Sequence, residues 1–236
     1  MKRWRIAAAL LLITVIGVSG WQLWAIHKDN QRERRMHGDA LQFKPLEDAD
    51  GQENPQIAAL RAQCPDAVGW LCIPGTRVDY PFVQAEDNDY YLRRDLNGED
   101  AQAGTIFMDC RCAPAFGDLS TILYGHHMRS GSMFRDVSRF GGTEFFERHK
   151  TGEIILLDRK ITLEFFACAV VKADNRVIYS QPRTGEEQDA LLLALKAQAK
   201  QFRDIGVTAA DQIVLLSTCS YQFDGARTVL AGRVRG

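Results

Sequence analysis

The stretch QIVLLSTCSYQFDGARTVLAGRV, residues 212–234, sets two strand-like runs on either side of a polar connection. QIVLLST (212–218) and ARTVLAGRV (226–234) are rich in β-branched and apolar residues, as strands are. Cys219 stands at the exit of the first run and Arg227 near the start of the second, eight residues later, so a short hairpin would return the guanidinium to the thiol. A thiol at a strand's exit is held by rigid backbone yet reaches solvent. Asp224, in the connection, would either orient Arg227 or shape the turn.

Six more runs of the same character precede this hairpin: AVGWLCI (67–73), VDYPFVQ (78–84), TIFMD (105–109), LSTILYG (119–125), EIILLD (153–158) and ITLEFFACAVV (161–171). Pro74-Gly75 and Asp158-Arg159-Lys160 read as turns between them. Eight strands in about 170 residues predict a mainly β protein, a closed or nearly closed barrel rather than a parallel α/β sheet. Two helices are signalled as additions. Asn54-Pro55 is an N-cap followed by proline at the first helical position, and Pro65 ends that short helix. Thr184-Gly185-Glu186-Glu187 is a capping box opening QDALLLALKAQAKQF (188–202), with Gly206 beyond its end. This predicts a long helix between strands six and seven. Phe134, Phe140, Phe145 and Phe146 mark a shorter crossover before strand five.

The chain has 236 residues, enough for one substantial core, and a formal net charge of −1 with 25% charged residues. No basic excess points to nucleic acid. Ile6 to Ile26, IAAALLLITVIGVSGWQLWAI, carries no charge. A helix of about 20 such residues spans a bilayer's hydrocarbon core. Trp4, Trp21 and Trp24 fall near its ends, where indoles favour the membrane interface. A cleaved signal peptide is the rival reading, because Val18-Ser19-Gly20 offers small residues, but the run is long for one. The expected organisation is a tail at 1–5, a membrane anchor at 6–26, a polar stalk at 27–53, partly helical near the membrane, and a folded domain at 54–236. Lys2, Arg3 and Arg5 before the run face Lys28, Arg32, Arg34 and Arg35 after it, so charge alone leaves the orientation open.

Of the six cysteines, Cys72 and Cys168 lie inside apolar runs and read as buried free thiols. Cys110-x-Cys112 could bridge or bind metal, although one intervening residue is unusual for zinc. Cys64 completes the set with Cys219. His126 follows an apolar strand in LYGHHM, after a glycine taken to permit a sharp turn. A cysteine in a strand is usually core, and an isolated His or Arg at a strand end is usually solvated. Only the combination of Cys219, His126 and Arg227 at strand ends of one barrel singles them out.

From Asp66 to Arg233 the chain resembles class B sortases, membrane-anchored cysteine transpeptidases. VGWLCIPGTRVDYPFVQAEDNDYYL, AGTIFMD, ILYGHHM followed by GSMF, and LLSTCSY-x-F-D-x-AR fall in family order. The resemblance implies an eight-stranded sortase-type barrel with an N-terminal helix, the N-terminus inside and the catalytic domain on the extracellular face. It implies Cys219 as nucleophile, His126 rather than His127 as acid/base, and Arg227 on the oxyanion. Asn88, Leu92, Tyr124, Tyr179 and Ser217 resemble positions lining the groove for the sorting signal; the alternative for Leu92 and Tyr124 is that they are core. It further implies cleavage of an NPxTx or xPxTG signal after Thr through a thioester, then transfer to a cell-wall peptidoglycan precursor amine. The partners expected are sorting-signal-bearing surface proteins, that amine, and membrane lipid around the N-terminal helix, with no nucleic acid, cofactor or metal. An anchored cysteine endopeptidase, using water as acceptor, would need the same residues. A non-catalytic surface module is the remaining alternative, and the intact trio counts against it.

Overall fold

The computed structural model describes residues 2–45, 53–220, 222 and 224–235. Residues 46–52 of the expected stalk, and Tyr221 and Phe223 of the hairpin, lie outside the described residues. The chain divides into two units, 1–39 and 40–236.

The first unit is helical. The helix α1 runs Lys2–Leu41, through the uncharged run and into the polar segment after it. The sequence reading makes the 27–53 segment partly helical, and the helix covers 27–41 of it. Residues 27–41 are mostly good helix formers (Gln, Arg, Glu, Lys, Met) without proline, and Gln31 bonds His27 one turn back at 2.8 Å. Leu11, Ile13, Ile16, Trp21 and Leu23 are exposed along the apolar part.

The second unit opens with Ala40, which is buried with Ile57 and Trp70 and flanked by Phe43. Helix α2 (Pro55–Gln63) starts as expected: the Asn54 side chain accepts from the Gln56 and Ile57 amides, and proline takes the first position. The strands are β1 (Ala67–Cys72), β2 (Asp79–Val83), β3 (Ile106–Met108), β4 (Ser120–Tyr124), β5 (Thr151–Ile155), β6 (Lys160–Lys172), β7 (Ala199–Phe202), β8 (Ile213–Cys219) and β9 (Ala226–Arg235). They pair in the order β5-β1-β2-β3-β4-β8-β9-β6, and β5 also pairs with β6, so eight strands close a barrel. Closure leaves these strands no free edge.

The ninth strand, β7, sits outside the ring on β6. The sequence reading carried the helix through Phe202, but α4 ends at Gln198 (Gly185–Gln198). Ala, Lys and Gln are good helix formers, so the change is tertiary. Phe202 meets Phe166 edge-on at 6.4 Å, and the Arg203 guanidinium donates to the Phe165 and Phe146 carbonyls. These contacts pull the chain into an extended ladder against Ala167–Ala169. At the other end of α4 the capping box is modified. Thr184 accepts from the Glu187 amide, while Glu187 reaches back to the amide of Arg183 rather than that of Thr184.

Two cores follow from the period-two alternation of the strands. Val214, Leu216, Leu123 and Leu230 point into the barrel with Leu71, Phe82, Met108, Ile154 and Phe165. The aromatic crossover, a 3-10 helix at Asp136–Gly141 and a short helix α3 (Thr143–Arg148), adds Phe134, Phe140 and Phe146 to that interior. On the outer wall, Ile122, Ile213, Leu215, Val229 and Ala231 are covered by Leu191 and Leu195 of α4. Burial of each of these leucines contributes roughly 1.5–3 kcal/mol. The outer layer positions the site.

Candidate active site

Alternation along β8 decides which way the thiol faces. Ile213 and Leu215 pack under α4, so Ser217 and Cys219 belong to the outer face, while Thr218 and Ser220 turn inward. A register slip of one residue would turn the thiol inward. On β9 the partner directly opposite Cys219 is Arg227. Its Nη1 donates to Cys219 Sγ at 3.0 Å. The hairpin read from the sequence therefore brings cation and thiol together.

His126 arrives from the other side. β4 runs parallel to β8 with Tyr124 opposite Ser217, and the Gly125 amide extends that ladder to the Ser217 carbonyl at 3.2 Å. His126 and Cys219 each stand two residues beyond this pair, leaving adjacent strands at the same barrel end. His126 Nε2 lies 2.7 Å from the Leu92 carbonyl oxygen. A carbonyl can only accept, so Nε2 is the donor in this bond.

Gly125 is needed for a reason other than the expected sharp turn. Its φ is not among the positive values. Instead a Cβ there would lie 2.7 Å from Cγ of Phe134, a fully buried ring in the barrel core. Phe134 in turn donates its amide to the His126 carbonyl at 2.9 Å. The glycine lets the core ring pack directly under the histidine's backbone.

His127 has a different occupation. Its Nδ1 lies 3.0 Å from the Ser138 hydroxyl, and its ring also bonds the backbone of Cys219. Burial first, and then the positive charge of Arg135, lower its pKa. The imidazole stays neutral at physiological pH and braces the end of β8 against the 3-10 helix.

Of the five expected groove residues, Leu92, Tyr124, Tyr179 and Ser217 are tied to the strands and loop of this centre, whereas Asn88 is tied to Cys110. Tyr179, in the turn after β6, bonds Ser217 through its hydroxyl at 2.9 Å and stacks on Tyr124 at 6.3 Å. Burial raises the Tyr179 pKa, opposed in part by its bond to Ser217 and by the positive charge of Arg227. Leu92 is exposed on a 3-10 turn (Tyr90–Leu92) and meets His126 through its backbone, so it is not core. Tyr124 is only partly buried. Asn88 accepts from the Cys110 amide at 2.8 Å. Asp224 is exposed in the turn.

Sequence reasoning missed Asp109, Arg111, Gln181 and the bracing part played by His127. The signal for the first two was present in TIFMDCR, a carboxylate at a strand exit with an arginine two residues on. All six thiols are unbridged. Burial pushes Cys72 and Cys112 up to about 11 and Cys168 to about 12, and raises Cys64 as well. Thiols so shifted hold almost no thiolate at neutral pH. Cys72 is only partly buried, unlike Cys168, which is fully enclosed as expected.

A family model for the sortase domain matches residues 71–234. The chain belongs to the sortase family. It is 32% identical to Sortase B of Listeria monocytogenes over 234 residues, 95% of each chain. A Bacillus anthracis sortase B structure superposes with a TM-score of 0.78 at 32% identity, covering 88% of this chain and 98% of that one. A Staphylococcus aureus sortase B–substrate complex matches with a TM-score of 0.73 at 26% identity, over 87% and 94% of the two chains. This sortase is of class B, and the barrel with its N-terminal helix is the architecture of that class. Its activity is that of a cysteine transpeptidase, acting on proteins that carry a sorting signal.

Proposed function

We propose that Cys219 is the nucleophile, His126 the general acid and base, and Arg227 the donor to the developing oxyanion. The observation that carries this reading is the opposition of Arg227 and Cys219 on adjacent strands with 3.0 Å between Nη1 and Sγ. In the first half-reaction the Cys219 thiolate attacks the carbonyl of the signal's Thr. A C–S bond forms and the carbonyl oxygen becomes an oxyanion, which the Arg227 fork stabilises. The oxyanion collapses, the C–N bond breaks, and His126 gives its Nδ1 proton to the departing amine. In the second half-reaction an amine attacks the thioester and returns a proton to Nδ1, and Cys219 leaves as thiolate. A thioester suits this sequence because amines resolve it readily.

The finer identity belongs to the same proposal. The signal is of the NPxTx or xPxTG type, bound along Asn88, Leu92, Tyr124, Tyr179 and Ser217. The acceptor is a cell-wall peptidoglycan precursor amine. Residues 6–26 anchor the enzyme as a single pass, with 1–5 in the cytoplasm, a stalk at 27–53 and the catalytic domain outside. One helix beginning in this region is long and apolar enough to cross a membrane by length and composition, which supports the anchor.

Mass spectrometry of products from a panel of NPxTx and xPxTG peptides, with and without added amines, tests the reaction. Cys219→Ala should abolish cleavage and the acyl-enzyme mass, and removal of any other cysteine should leave both. Cleavage by Cys219→Ala, or an acyl mass on Cys110, would refute the assignment. Products that are hydrolysed only, whatever amine is offered, would favour water as the acceptor.

A further inference from the structure

We propose that the Asp109–Arg111 pair is a positioning device that fixes the Tyr179 wall of the signal groove. The inference rests on the reading that Tyr124, Tyr179 and Ser217 line that groove.

Asp109 follows β3 and is fully buried. A carboxylate in that position must be satisfied or neutralised. It accepts from Arg111 Nε at 2.8 Å, Arg111 Nη2 at 2.7 Å, the Arg111 amide at 3.0 Å and the Tyr124 hydroxyl at 2.9 Å. Burial alone would raise its pKa, but these donors outweigh burial and hold it below the usual carboxylate range. The pair is therefore ionised at neutral pH.

Neutralising Asp109 needs only the Nε and Nη2 bonds. Arg111 Nη2 makes one bond more, to the Tyr179 carbonyl at 3.2 Å. That bond crosses from the barrel to the turn between β6 and α4. The barrel side of the crossing is itself pinned: Gln84 Nε2 donates to the carbonyls of Asp109 and Cys112, and Asn88 holds the Cys110 amide. The turn side is tied at two more points, Tyr179 to Ser217 and Gln181 Nε2 to Cys112 Sγ at 3.2 Å. Within the turn, Asn175 caps the Val177 and Ile178 amides, so it moves as one piece. Arg111 is thus the charged clip in a three-point attachment, and the same carboxylate that orients it orients Tyr124 across the stack from Tyr179.

A planar fork can serve Asp109 and Tyr179 together, whereas an ammonium on a flexible stem serves one well. Arg111→Lys therefore keeps the ion pair and releases the wall. For a peptide cleaved by the wild-type enzyme, chosen from the NPxTx and xPxTG panel, KM should rise roughly 3- to 10-fold, the low end for one charge-assisted bond at a half-exposed side chain. The kcat at saturation and the rate of Cys219 alkylation by iodoacetamide should stay within about 2-fold, because the clip does not touch the reacting atoms. Amide hydrogen exchange over residues 176–181 should quicken in Arg111→Lys and more so in Arg111→Gln. Unchanged KM with unchanged exchange in both variants would overturn the proposal. Equal losses in kcat, alkylation rate and melting temperature would also overturn it, by reducing the pair to a general fold contact. Exchange separates the two levels: faster exchange over 176–181 with an unchanged KM would keep the clip and refute the groove reading on which the KM effect rests.

Discussion

Replacing Gly125 by alanine adds one methyl group at the point where the barrel core touches the active-site backbone. The new Cβ would stand 2.7 and 2.8 Å from Phe134 Cγ and Cδ2 and 3.2 Å from Cδ1. These are ring atoms of a side chain with no exposed surface, so the neighbour has nowhere to swing. Overpacking of a filled core by one carbon costs about 1–3 kcal/mol. For a unit of this size, about 2–4 °C per kcal/mol places the fall in melting temperature at roughly 2–12 °C. The backbone must also give way, and Phe134 is bonded to the His126 carbonyl, so the imidazole moves with it. If His126 has the acid/base role proposed above, a displacement near 1 Å costs on the order of 10²-fold. Gly125→Ala should therefore lose both stability and acylation rate, measured by thermal unfolding and by single-turnover mass spectrometry. Adding Phe134→Leu removes the ring and should recover much of the acylation rate while leaving a cavity and a lowered melting temperature. If Gly125→Ala matches the wild type in both measurements, the close packing of Phe134 under the loop is wrong. If it loses activity without losing stability, the coupling through the core is wrong.

Arg227→Ala should lower kcat by roughly 10²–10³, the usual scale for one oxyanion donor, and weaken binding of an uncleavable signal peptide far less. Arg227→Lys should recover only part of kcat, and a loss confined to peptide affinity would reassign the residue to substrate positioning. Asp136 is buried against Arg77; burial would raise its pKa, but the bonds and charge of Arg77 outweigh burial and lower it. With the folded pKa below an unfolded value of about 3.9, the folded state binds fewer protons, so its contribution is complete above that pH and drains away as pH falls toward the folded pKa. Acid titration of stability should thus be shallower in Asp136→Asn, and an identical slope would remove Asp136 from the account. A chain starting near residue 36 should keep the full stability of the catalytic unit, whereas one starting at 54 should lose stability. It would strip Ala40 and Phe43 from Trp70 and the Lys44–Asp79 ion pair from β2; equal urea midpoints would show that these residues add nothing.

Strand positions were legible because long runs such as IVLLST and ITLEFFACAVV carry one dominant preference, and nothing in the tertiary structure opposes it. The helix starts at Asn54 and Thr184 were equally plain, since capping is a contact within a few residues. β7 was not legible: AKQF has helix-forming residues, and the edge of β6 that recruits it lies 30 or more residues away. The same division runs through the site. The hairpin makes the pairing of Cys219 with Arg227 a local matter, so eight residues of sequence were enough to bring them together. The placement of His126 beside them depends on β4 lying parallel to β8, a contact across more than 90 residues that only barrel closure decides. Asp109 and Arg111 stayed hidden for a like reason. An Asp-x-Arg at a strand end is ordinary in sequence, and becomes a clip only when the fold brings Tyr124 and the Tyr179 carbonyl within bonding distance of it. Sequence by itself therefore determined which residues could do chemistry and which strands would carry them. The tertiary structure alone decided which face they share and what holds them still, because register and closure are set by contacts between segments that propensity does not see.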